Sequence, residues 1–318
     1  MADLGVAFDG RNPLLATVEQ ARVAENAGAG RVWMSSHLFC RDPFSSAAAI
    51  LAGTRTARVT LLAVSPHAMH PVHIAMAAAT LDEAAPGRLA LCLGAGAPGD
   101  LAGAGIEPQR RLATLREAVD VTRGLLTGAR VQHHGDVFQV DGRLHGGAHA
   151  VPILLAVSGP RALELAGAVA DGVILSAGSS IPYVRWALEQ VERGARGRAV
   201  RRIVQVYVKA ADDERSALER FRRQLAITLR GEHHRRNVEL AGSSLDRQAL
   251  RAVVAREDWG ALPGVLGDDV VRRHAAVGTA ADVRERLAAY RKSGVDEIVL
   301  GGLHDPDETR EAIRVAAG

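Results

Sequence analysis

The sequence predicts a (β/α)8 TIM barrel, a closed ring of eight parallel strands with helices outside it, as a single domain over residues 1–318. Three observations predict it. Short apolar runs alternate with longer helical patterns, and eight such runs can be counted, which is the strand number of this barrel. A length of 318 residues is usual for one such barrel. Only 3% of the residues are aromatic although 47% are hydrophobic, and an aliphatic core of this kind suits buried parallel strands.

The predicted strands are short apolar runs bounded by turn residues. They cover residues 4–8, 31–34, 59–64, 89–93, 153–157, 172–175, 203–208 and 297–300. The predicted helices cover residues 14–27, 43–54, 72–84, 110–126, 161–168, 181–193, 214–229, 281–292 and 306–317. An open doubly wound sheet is the alternative, but the first strand is not followed by the glycine-rich fingerprint that a dinucleotide-binding sheet needs.

Two segments depart from the alternating pattern. Residues 130–144, after the fourth helix, have alternating valines around His134, Gly135 and Asp136, which predicts a β-hairpin excursion. Residues 231–274, before the last strand, are rich in glycine, proline and charge. We expect an irregular insertion there, made of short helices and loops with some mobility.

Charge and cysteine content limit the classes of partner. The 39 lysines and arginines nearly balance the 36 aspartates and glutamates. The densest basic cluster, residues 193–202, lacks aromatic side chains for stacking on bases and precedes a strand, so we expect no nucleic-acid partner. Cys40 and Cys92 indicate no disulfide framework, and we expect a reducing cytoplasm. We expect no signal peptide and no membrane segment, because no apolar run approaches the roughly 20 residues that a membrane helix needs.

In a barrel of this kind the active site lies on the loops that follow the strands. Ser158, Gly159, Pro160 and Arg161 follow the fifth strand and begin a helix. Glycine lets an anion approach the backbone, proline suits a first helical turn, and the free N–H groups of a helix start attract phosphate. The sequence therefore predicts a phosphate site here, with a simple tight turn as the alternative. Residues 176–180, after the sixth strand, are small and hydroxyl-rich, and we expect them to complete the site.

Three histidines after the third strand, His67, His70 and His73, suggest a metal site. Pro71 interrupts the helix between them, so one regular helix cannot present all three side chains to one ion. No carboxylate or cysteine pattern assists them. We therefore expect no bound metal.

Several motifs stand at strand ends and helix starts. They are residues 65–71 (SPHAMHP), 79–83 (ATLDE), 87–89 (GRL), 93–96 (LGAG), 158–166 (SGPRALELA), 170–175 (ADGVIL), 277–279 (VGT) and 294–300 (GVDEIVL). As a set they resemble the luciferase-like monooxygenase superfamily. Within it they look most like the branch named for methylenetetrahydromethanopterin reductase, whose members commonly use the deazaflavin coenzyme F420. The resemblance spans nearly the whole chain and is weakest in the hairpin and in the insertion.

The resemblance implies a catalytic role for His37. This histidine follows the second strand, where related enzymes often have an Asp-His pair with the histidine near the reacting ring nitrogen. Imidazole can supply or accept a proton near neutral pH. Here Ser36 replaces the expected aspartate, and serine lacks the charge of a carboxylate. Relatives also carry a bulge with a non-prolyl cis peptide in the third strand, which would be Leu62–Ala63 in this chain, with leucine in place of the usual glycine.

The resemblance and the phosphate motif together assign a set of candidate cofactor contacts. They are Ser36, Ala63, Ser65, Gly94, Gly96, Ser158, Gly159, Pro160, Arg161, Ser176, Ala177 and Gly178. Arg110 and Arg111 begin a helix on the same face and are candidates to hold an anionic substrate or the acidic tail of a deazaflavin. Relatives that oxidise sugar phosphates carry a catalytic acidic residue after the position of Gly96. Because that glutamate is missing here, we do not expect their activity.

The function that the resemblance implies is an F420-dependent oxidoreductase that transfers a hydride between the deazaflavin and a small organic substrate. An FMN-dependent luciferase-like monooxygenase is the alternative, since the motifs barely separate the two cofactors. A non-catalytic flavin-binding barrel, or a degenerate barrel, is a third hypothesis, suggested by Ser36 and by the missing acidic residue after Gly96. We expect a homodimer.

Overall fold

The structure, a computed structural model, describes residues 3–318. Its strands are β1 (Asp3–Phe8), β2 (Arg31–Ser35), β3 (Arg58–Val64), β4 (Leu89–Gly94), β5 (Val131–His134), β6 (Gln139–Gly142), β7 (Ile153–Ala156), β8 (Gly172–Leu175), β9 (Arg201–Ala210), β10 (Ala276–Gly278) and β11 (Glu297–Gly301). Eight of them pair in parallel in the order β9-β11-β1-β2-β3-β4-β7-β8, and β8 pairs with β9 to close the ring. The predicted closed barrel is confirmed.

Helices surround this ring. They are α1 (Leu14–Asn26), α2 (Pro43–Gly53), α3 (Pro71–Ala84), α4 (Pro98–Gly103), α5 (Arg111–Leu126), α6 (Pro160–Val169), α7 (Ile181–Ala195), α8 (Glu214–Leu229), α9 (Arg235–Leu240), α10 (Arg247–Ala255), α11 (Leu262–Val265), α12 (Asp268–His274), α13 (Ala280–Arg291) and α14 (Pro306–Ala317). Proline occupies the first turn of α2, α3, α4, α6, α7 and α14. Proline lacks an N–H group, and this costs nothing in the first turn because N–H groups there have no hydrogen-bond partner within the helix. Within residues 3–318, no helix combines the length and the apolar character that crossing a bilayer requires.

The inside of the barrel holds one large side chain and a buried ion pair. Trp33 is fully buried, and its indole Nε1 donates to Oε1 of Glu297 at 2.8 Å. Oε2 of the same carboxylate accepts from Arg201 Nη2 at 3.0 Å and lies 3.8 Å from Arg31 Nε. Gly5 leaves the room for this cluster, since a Cβ there would lie 2.7 Å from Oε1. These residues belong to the first halves of their strands, so the cluster fills the end of the barrel away from the active-site loops.

Strands β5 and β6 pair antiparallel as the predicted hairpin. The hairpin is tied to α5 through Glu117, whose carboxylate accepts the N–H groups of Asp136 and Phe138, each at 2.9 Å. His133 Nε2 lies 3.2 Å from the same carboxylate. Helix α5 begins one residue later than predicted because Arg110 has a left-handed φ of 44°. Because Glu117 of α5 binds the hairpin, the hairpin lies along the outside of α5.

The insertion is more ordered than its composition indicates. A 3-10 turn (Glu232–His234) and helices α9 to α12 pack on α8 around an apolar cluster of their own, in which Leu250 and Val270 are fully buried. The buried Arg222 of α8 donates to Asp268 at the start of α12. Helices of four to nine residues are too short to show a clear apolar period, which is why the sequence indicates only an irregular segment.

The sequence pattern also misses two short elements. Helix α4 has six residues and follows β4. Strand β10 has three residues and pairs with the second half of β9, beyond the part that pairs with β11. Both are shorter than the windows in which hydrophobic periodicity is detectable. The first of them carries a residue of the candidate active site.

Candidate active site

His37 lies at the mouth of the barrel, the end at which the carboxyl ends of the strands meet. Its Nδ1 lies 3.2 Å from Oδ2 of Asp100 in α4. The two side chains are 50% and 31% exposed, so a ligand in the mouth can reach them. A carboxylate accepts a hydrogen bond from Nδ1–H, which leaves Nε2 as the ring nitrogen that can exchange a proton. The carboxylate expected at position 36, where Ser36 stands, is therefore supplied by α4.

An aromatic side chain holds the loop after β2 against α4. Phe39 has a φ of 66°, a left-handed conformation that is disfavoured for a bulky residue, and its side chain is 77% exposed. Its ring lies on Gly103 at the end of α4, since a Cβ there would be 3.2 Å from Phe39 Cε2. The loop that carries Phe39 also carries His37, and α4 carries both Gly103 and Asp100. The sequence signal for Asp100 is weak: its loop follows β4 and the histidine follows β2, the two neighbours of β3 in the ring.

The ends of β2, β3 and β4 form a floor beside His37. The pairing of β3 with β4 shifts between Leu61 and Val64, and the Leu62–Ala63 peptide is cis. Both features agree with what the resemblance implies. The backbone N–H of Ser36 donates to the carbonyl of Leu62 at 2.6 Å, which joins the loop after β2 to this floor.

Two glycines at the end of β4 complete the floor. A Cβ at Gly94 would lie 2.9 Å from Cβ of Ala63, so only glycine permits this approach. Gly96 has a left-handed φ of 84°, and a Cβ there would lie 3.0 Å from Oγ of Ser65. The structure thus brings these four candidate residues together next to Ser36. A floor of small side chains fits a flat aromatic ring.

His67, in the loop after β3, has a polar atom without a partner. Its Nε2 is buried and has no hydrogen bond within residues 3–318. Burial, with a smaller contribution from the charge of Arg111, lowers the pKa of this imidazole. A buried unsatisfied group is costly, and a polar group of a bound ligand is the partner it lacks. The sequence pattern suggests only a metal ligand at this position. In the part of the chain that the structure describes, no three His, Cys, Asp or Glu side chains are grouped to hold an ion.

The turn after β7 leaves a helix start open to an anion. Gly159 precedes α6, Pro160 occupies its first turn, and no side chain caps the helix, so the first N–H groups are free. These two residues and Arg161 are exposed, and a Cβ at Gly159 would meet no atom within 4 Å. The Tyr183 hydroxyl donates to the carbonyl of Ser158 at 2.6 Å and fixes the turn on α7. The geometry fits a phosphate group.

The loop after β8 presents only part of its predicted contacts to the mouth. Ser176 is exposed, whereas Ala177 and Gly178 are buried. The carbonyl of Gly178 accepts from Asn237 Nδ2 at 2.8 Å and from His274 Nδ1 at 2.7 Å. The side chain of Ala177 belongs to the apolar cluster of the insertion. Ser176 is therefore the one of these three whose side chain is available to a cofactor.

The two side chains that bind the Gly178 carbonyl belong to no sequence motif. Asn237 is fully buried, and its Oδ1 accepts the N–H of Ser180 at 2.9 Å. His274 is fully buried as well, and its Nε2 lies 3.0 Å from the hydroxyl of Ser243. Burial lowers the pKa of His274 to about 4 and that of His234, on the adjoining 3-10 turn, to about 3. Both rings are therefore neutral at neutral pH, and the insertion positions the loop after β8.

Comparisons with known proteins agree with the resemblance. The chain matches the family described as luciferase-like monooxygenase over residues 4–297. It is 27% identical over 316 residues to the 5,10-methylenetetrahydromethanopterin reductase of Methanolobus tindarius, covering 96% of each chain. It is 29% identical over 299 residues to the F420-dependent glucose-6-phosphate dehydrogenase of Nakamurella multipartita, covering 87% of this chain and 86% of that protein.

A solved structure supports the fold. The coenzyme F420-dependent tetrahydromethanopterin reductase from Methanopyrus kandleri superposes with a TM-score of 0.89 at 20% identity, covering 99% of this chain and 96% of that one. At this identity the likeness establishes the architecture. The family match, which extends over most of the chain, establishes the lineage. The protein belongs to the luciferase-like monooxygenase family.

Proposed function

We propose that this protein is an F420-dependent oxidoreductase that transfers a hydride between the deazaflavin and a small organic substrate. The observation that carries the proposal is the His37–Asp100 pair, with 3.2 Å between Nδ1 and Oδ2, beside a floor of small residues at the barrel mouth. The choice of cofactor is supported by relatives that are named as F420-dependent or as methylenetetrahydromethanopterin reductases.

The mouth offers separate places for the two ends of the cofactor. The floor formed by the half-buried Ala63, Ser65 and Gly96 and the buried Gly94 would support the ring. The free Nε2 of His67 would meet one of the polar groups of that ring. The uncapped start of α6 would hold the phosphate. The residues proposed at that end are Ser158, Gly159, Pro160, Arg161 and Ser176, with backbone contributions from Ala177 and Gly178.

When bound, the deazaflavin supplies the ring carbon that gives or takes the hydride. Reduction of a polar double bond, or the reverse oxidation, also moves one proton. We assign that proton to Nε2 of His37. Asp100 keeps Nδ1 protonated and the ring oriented, as a carboxylate does for a catalytic imidazole.

A titration of the purified protein with F420 and with FMN tests the cofactor. We expect saturable binding of F420, seen as a change in deazaflavin fluorescence, and binding of FMN that is much weaker. Tight FMN binding without F420 binding would favour an FMN-dependent monooxygenase instead. Failure to bind either cofactor would favour a degenerate barrel.

A substitution at the proposed proton donor tests the chemistry. We expect His37→Ala to lower kcat by about 100-fold or more, the usual size of a lost acid–base contribution, without lowering the affinity for F420 to the same extent. His304→Ala, which removes an exposed histidine of the loop after β11, is the matched control. Unchanged turnover in His37→Ala would remove this residue from the mechanism.

We also propose that the enzyme acts as a homodimer in the cytoplasm. The family resemblance suggests the dimer, and the free thiols of Cys40 and Cys92 suit a reducing compartment. Light scattering in solution would give the assembly mass, and a value equal to the 33.6 kDa of one chain would contradict the dimer.

A further inference from the structure

A groove of 780 Å³ lies on the outside of the barrel between α5, α6 and the last turn of α7. One wall is the face of α6 that carries Arg161, Glu164, Leu165 and Ala168, which follow one another at helical spacing. Arg161 is the second residue of α6 and the last residue of the turn proposed to bind phosphate. The groove therefore starts at the phosphate end of the mouth and runs down the length of α6.

Four arginines line this groove: Arg116, Arg161, Arg196 and Arg198. The last of them donates to two backbone carbonyls at the end of α6. The other three are exposed, and no ion pair within residues 3–318 includes any of them. This differs from much of the chain, where exposed arginines such as Arg202 are paired with neighbouring carboxylates.

The carboxylates of the groove are mostly occupied. Both oxygens of Glu117 accept backbone N–H groups of the hairpin. Asp136 pairs with Arg110 at 3.2 Å. Glu164 is the one lining carboxylate for which residues 3–318 provide no ion pair. The groove thus carries an excess of unneutralised positive charge, on Arg116, on Arg161 and on Arg196.

We infer that this groove binds the acidic oligoglutamate tail of the deazaflavin, an inference that rests on the proposed function. In F420 the tail is joined to the ring system through the phosphate group. A phosphate at the start of α6 would therefore deliver the tail next to Arg161, with Arg116 facing it from α5. Guanidinium groups bind carboxylates through paired hydrogen bonds, and a chain of carboxylates can meet several of them in turn.

This groove gives the protein a way to distinguish F420 from FMN. FMN ends at its phosphate, so it can occupy the mouth but has nothing to place along α6. Exposed ion pairs are individually weak, and two of them together would strengthen binding by about tenfold. Because the arginines are exposed, this advantage should decrease as salt is added.

The test compares full-length F420 with the same deazaflavin truncated after its phosphate, with Kd measured by fluorescence titration. We expect wild-type protein to bind the full-length cofactor about tenfold more tightly than the truncated one at low salt. The double variant Arg116→Gln with Arg196→Gln should lose this advantage and retain the wild-type Kd for the truncated form. Arg185→Gln, an exposed arginine of α7 outside the groove, should behave as wild type in both titrations.

The outcomes separate this inference from the proposed function. Equal Kd values of wild type for the two cofactors would overturn the groove assignment while leaving F420 dependence intact. A double variant that weakens both cofactors equally would also overturn it, because the arginines would then act on the ring or the phosphate. Failure of wild type to bind either deazaflavin would overturn the proposed function and the inference together. Thermal unfolding of each variant verifies that it is folded.

Discussion

Asp100 contacts His37 from a different loop, and the exposure of this pair limits its contribution to the stability of the fold. An ion pair whose side chains are 50% and 31% exposed contributes about 0–1 kcal/mol to folding, because water screens the charges. Orientation of the imidazole is then the larger effect. The 3.2 Å contact selects the tautomer with the proton on Nδ1 and points Nε2 away from the carboxylate.

Substitution of Asp100→Asn should therefore affect turnover more than folding. We expect kcat to fall by about 10- to 100-fold with KM little changed, as when a histidine loses the carboxylate that orients it. Nitrogen-15 NMR of the His37 ring should at the same time show the loss of the preference for a proton on Nδ1. Steady-state kinetics on the substrate identified with F420 provides the rate measurement.

Two companion variants make that result specific. Asp100→Glu retains the charge and should recover part of kcat. Glu107→Gln removes one exposed negative charge from the loop that follows α4 and should leave kcat unchanged. Equal losses in Asp100→Asn and Glu107→Gln would mean that only the net charge of the mouth matters.

At the scale of elements, the insertion and the loop after β8 form one unit. Gly178 receives hydrogen bonds from both α9 and α12, and the Tyr290 hydroxyl of α13 donates to the carbonyl of Ser179 at 2.7 Å. Two neutral, buried histidines, His234 and His274, lie in this unit. The stability of this unit should consequently depend on pH.

We expect the free energy of unfolding to fall as pH drops below about 6.5, the usual value for histidine in the unfolded chain. Burial lowers the folded-state pKa of His274 to about 4 and that of His234 to about 3, so protons bind the unfolded state first. Below about 6.5, each histidine lowers the free energy of unfolding by about 1.4 kcal/mol for every unit by which the pH falls, until the pH reaches the pKa of that histidine in the folded state. Nearby Arg247, Arg273 and Arg286 also lower these pKa values, whereas at His274 the hydrogen bond to the Gly178 carbonyl and, more weakly, Asp269 raise the pKa.

Urea unfolding between about pH 7.5 and about pH 5 measures this slope. The carboxylates of Glu25 and Glu308 have pKa values lowered to about 2, so their contribution is lost only in stronger acid. His274→Gln should reduce the slope, and His304→Gln, at an exposed position, should not. A free energy of unfolding that stays constant over this range would contradict the buried, neutral state of these rings.

At the scale of the whole molecule, the two ends of the barrel differ in how their polar groups are exposed and hydrogen-bonded. The mouth has exposed polar groups, a left-handed Phe39 and an orphaned ring nitrogen on His67. The opposite end has Trp33 and Glu297 in a closed, satisfied cluster. A barrel of this kind commonly separates function from stability in this way.

Burial predicts losses of stability of different size for two adjacent carboxylates. Glu297→Gln would leave the half-buried Arg31 without its carboxylate and Arg201 with only the exposed Asp3 as a partner, and should cost about 3–5 kcal/mol in the free energy of unfolding. Asp296→Asn removes the exposed partner of Arg202 and should cost about 1 kcal/mol or less. Neither change should alter the Kd for F420. A similar loss of stability in both variants, measured by urea unfolding, would contradict the assigned role of burial.

The sequence predicted the barrel well because its strands are short apolar runs, a pattern that is typical of buried parallel strands. All eight barrel strands lie within two residues of their predicted ends. The largest shift is at β9, which begins at Arg201 rather than at residue 203. Its first two residues are arginines that pair with Glu297 and Asp296, so a polar start concealed strand structure.

Residues of the candidate site could be predicted from the sequence only where they lie at a strand end or within a motif of the family. His37 and the floor residues follow strand ends and could be assigned from the family resemblance. Asp100 could not, because it lies in a helix of six residues after β4 and contacts the histidine only through the tertiary fold. Asn237 acts through a tertiary hydrogen bond from a helix of six residues, for which neither periodicity nor a motif gives a signal.

The double hydrogen bond on the carbonyl of Gly178 has a consequence for protein engineering. An engineer who seeks a new substrate range would exchange the insertion for that of another enzyme. Such a chimera would lose Asn237 and His274 at the same time, and the loop after β8 would lose its support even though no residue of that loop had changed. Grafts that retain these two side chains should keep their cofactor, whereas grafts without them should be purified as colourless protein.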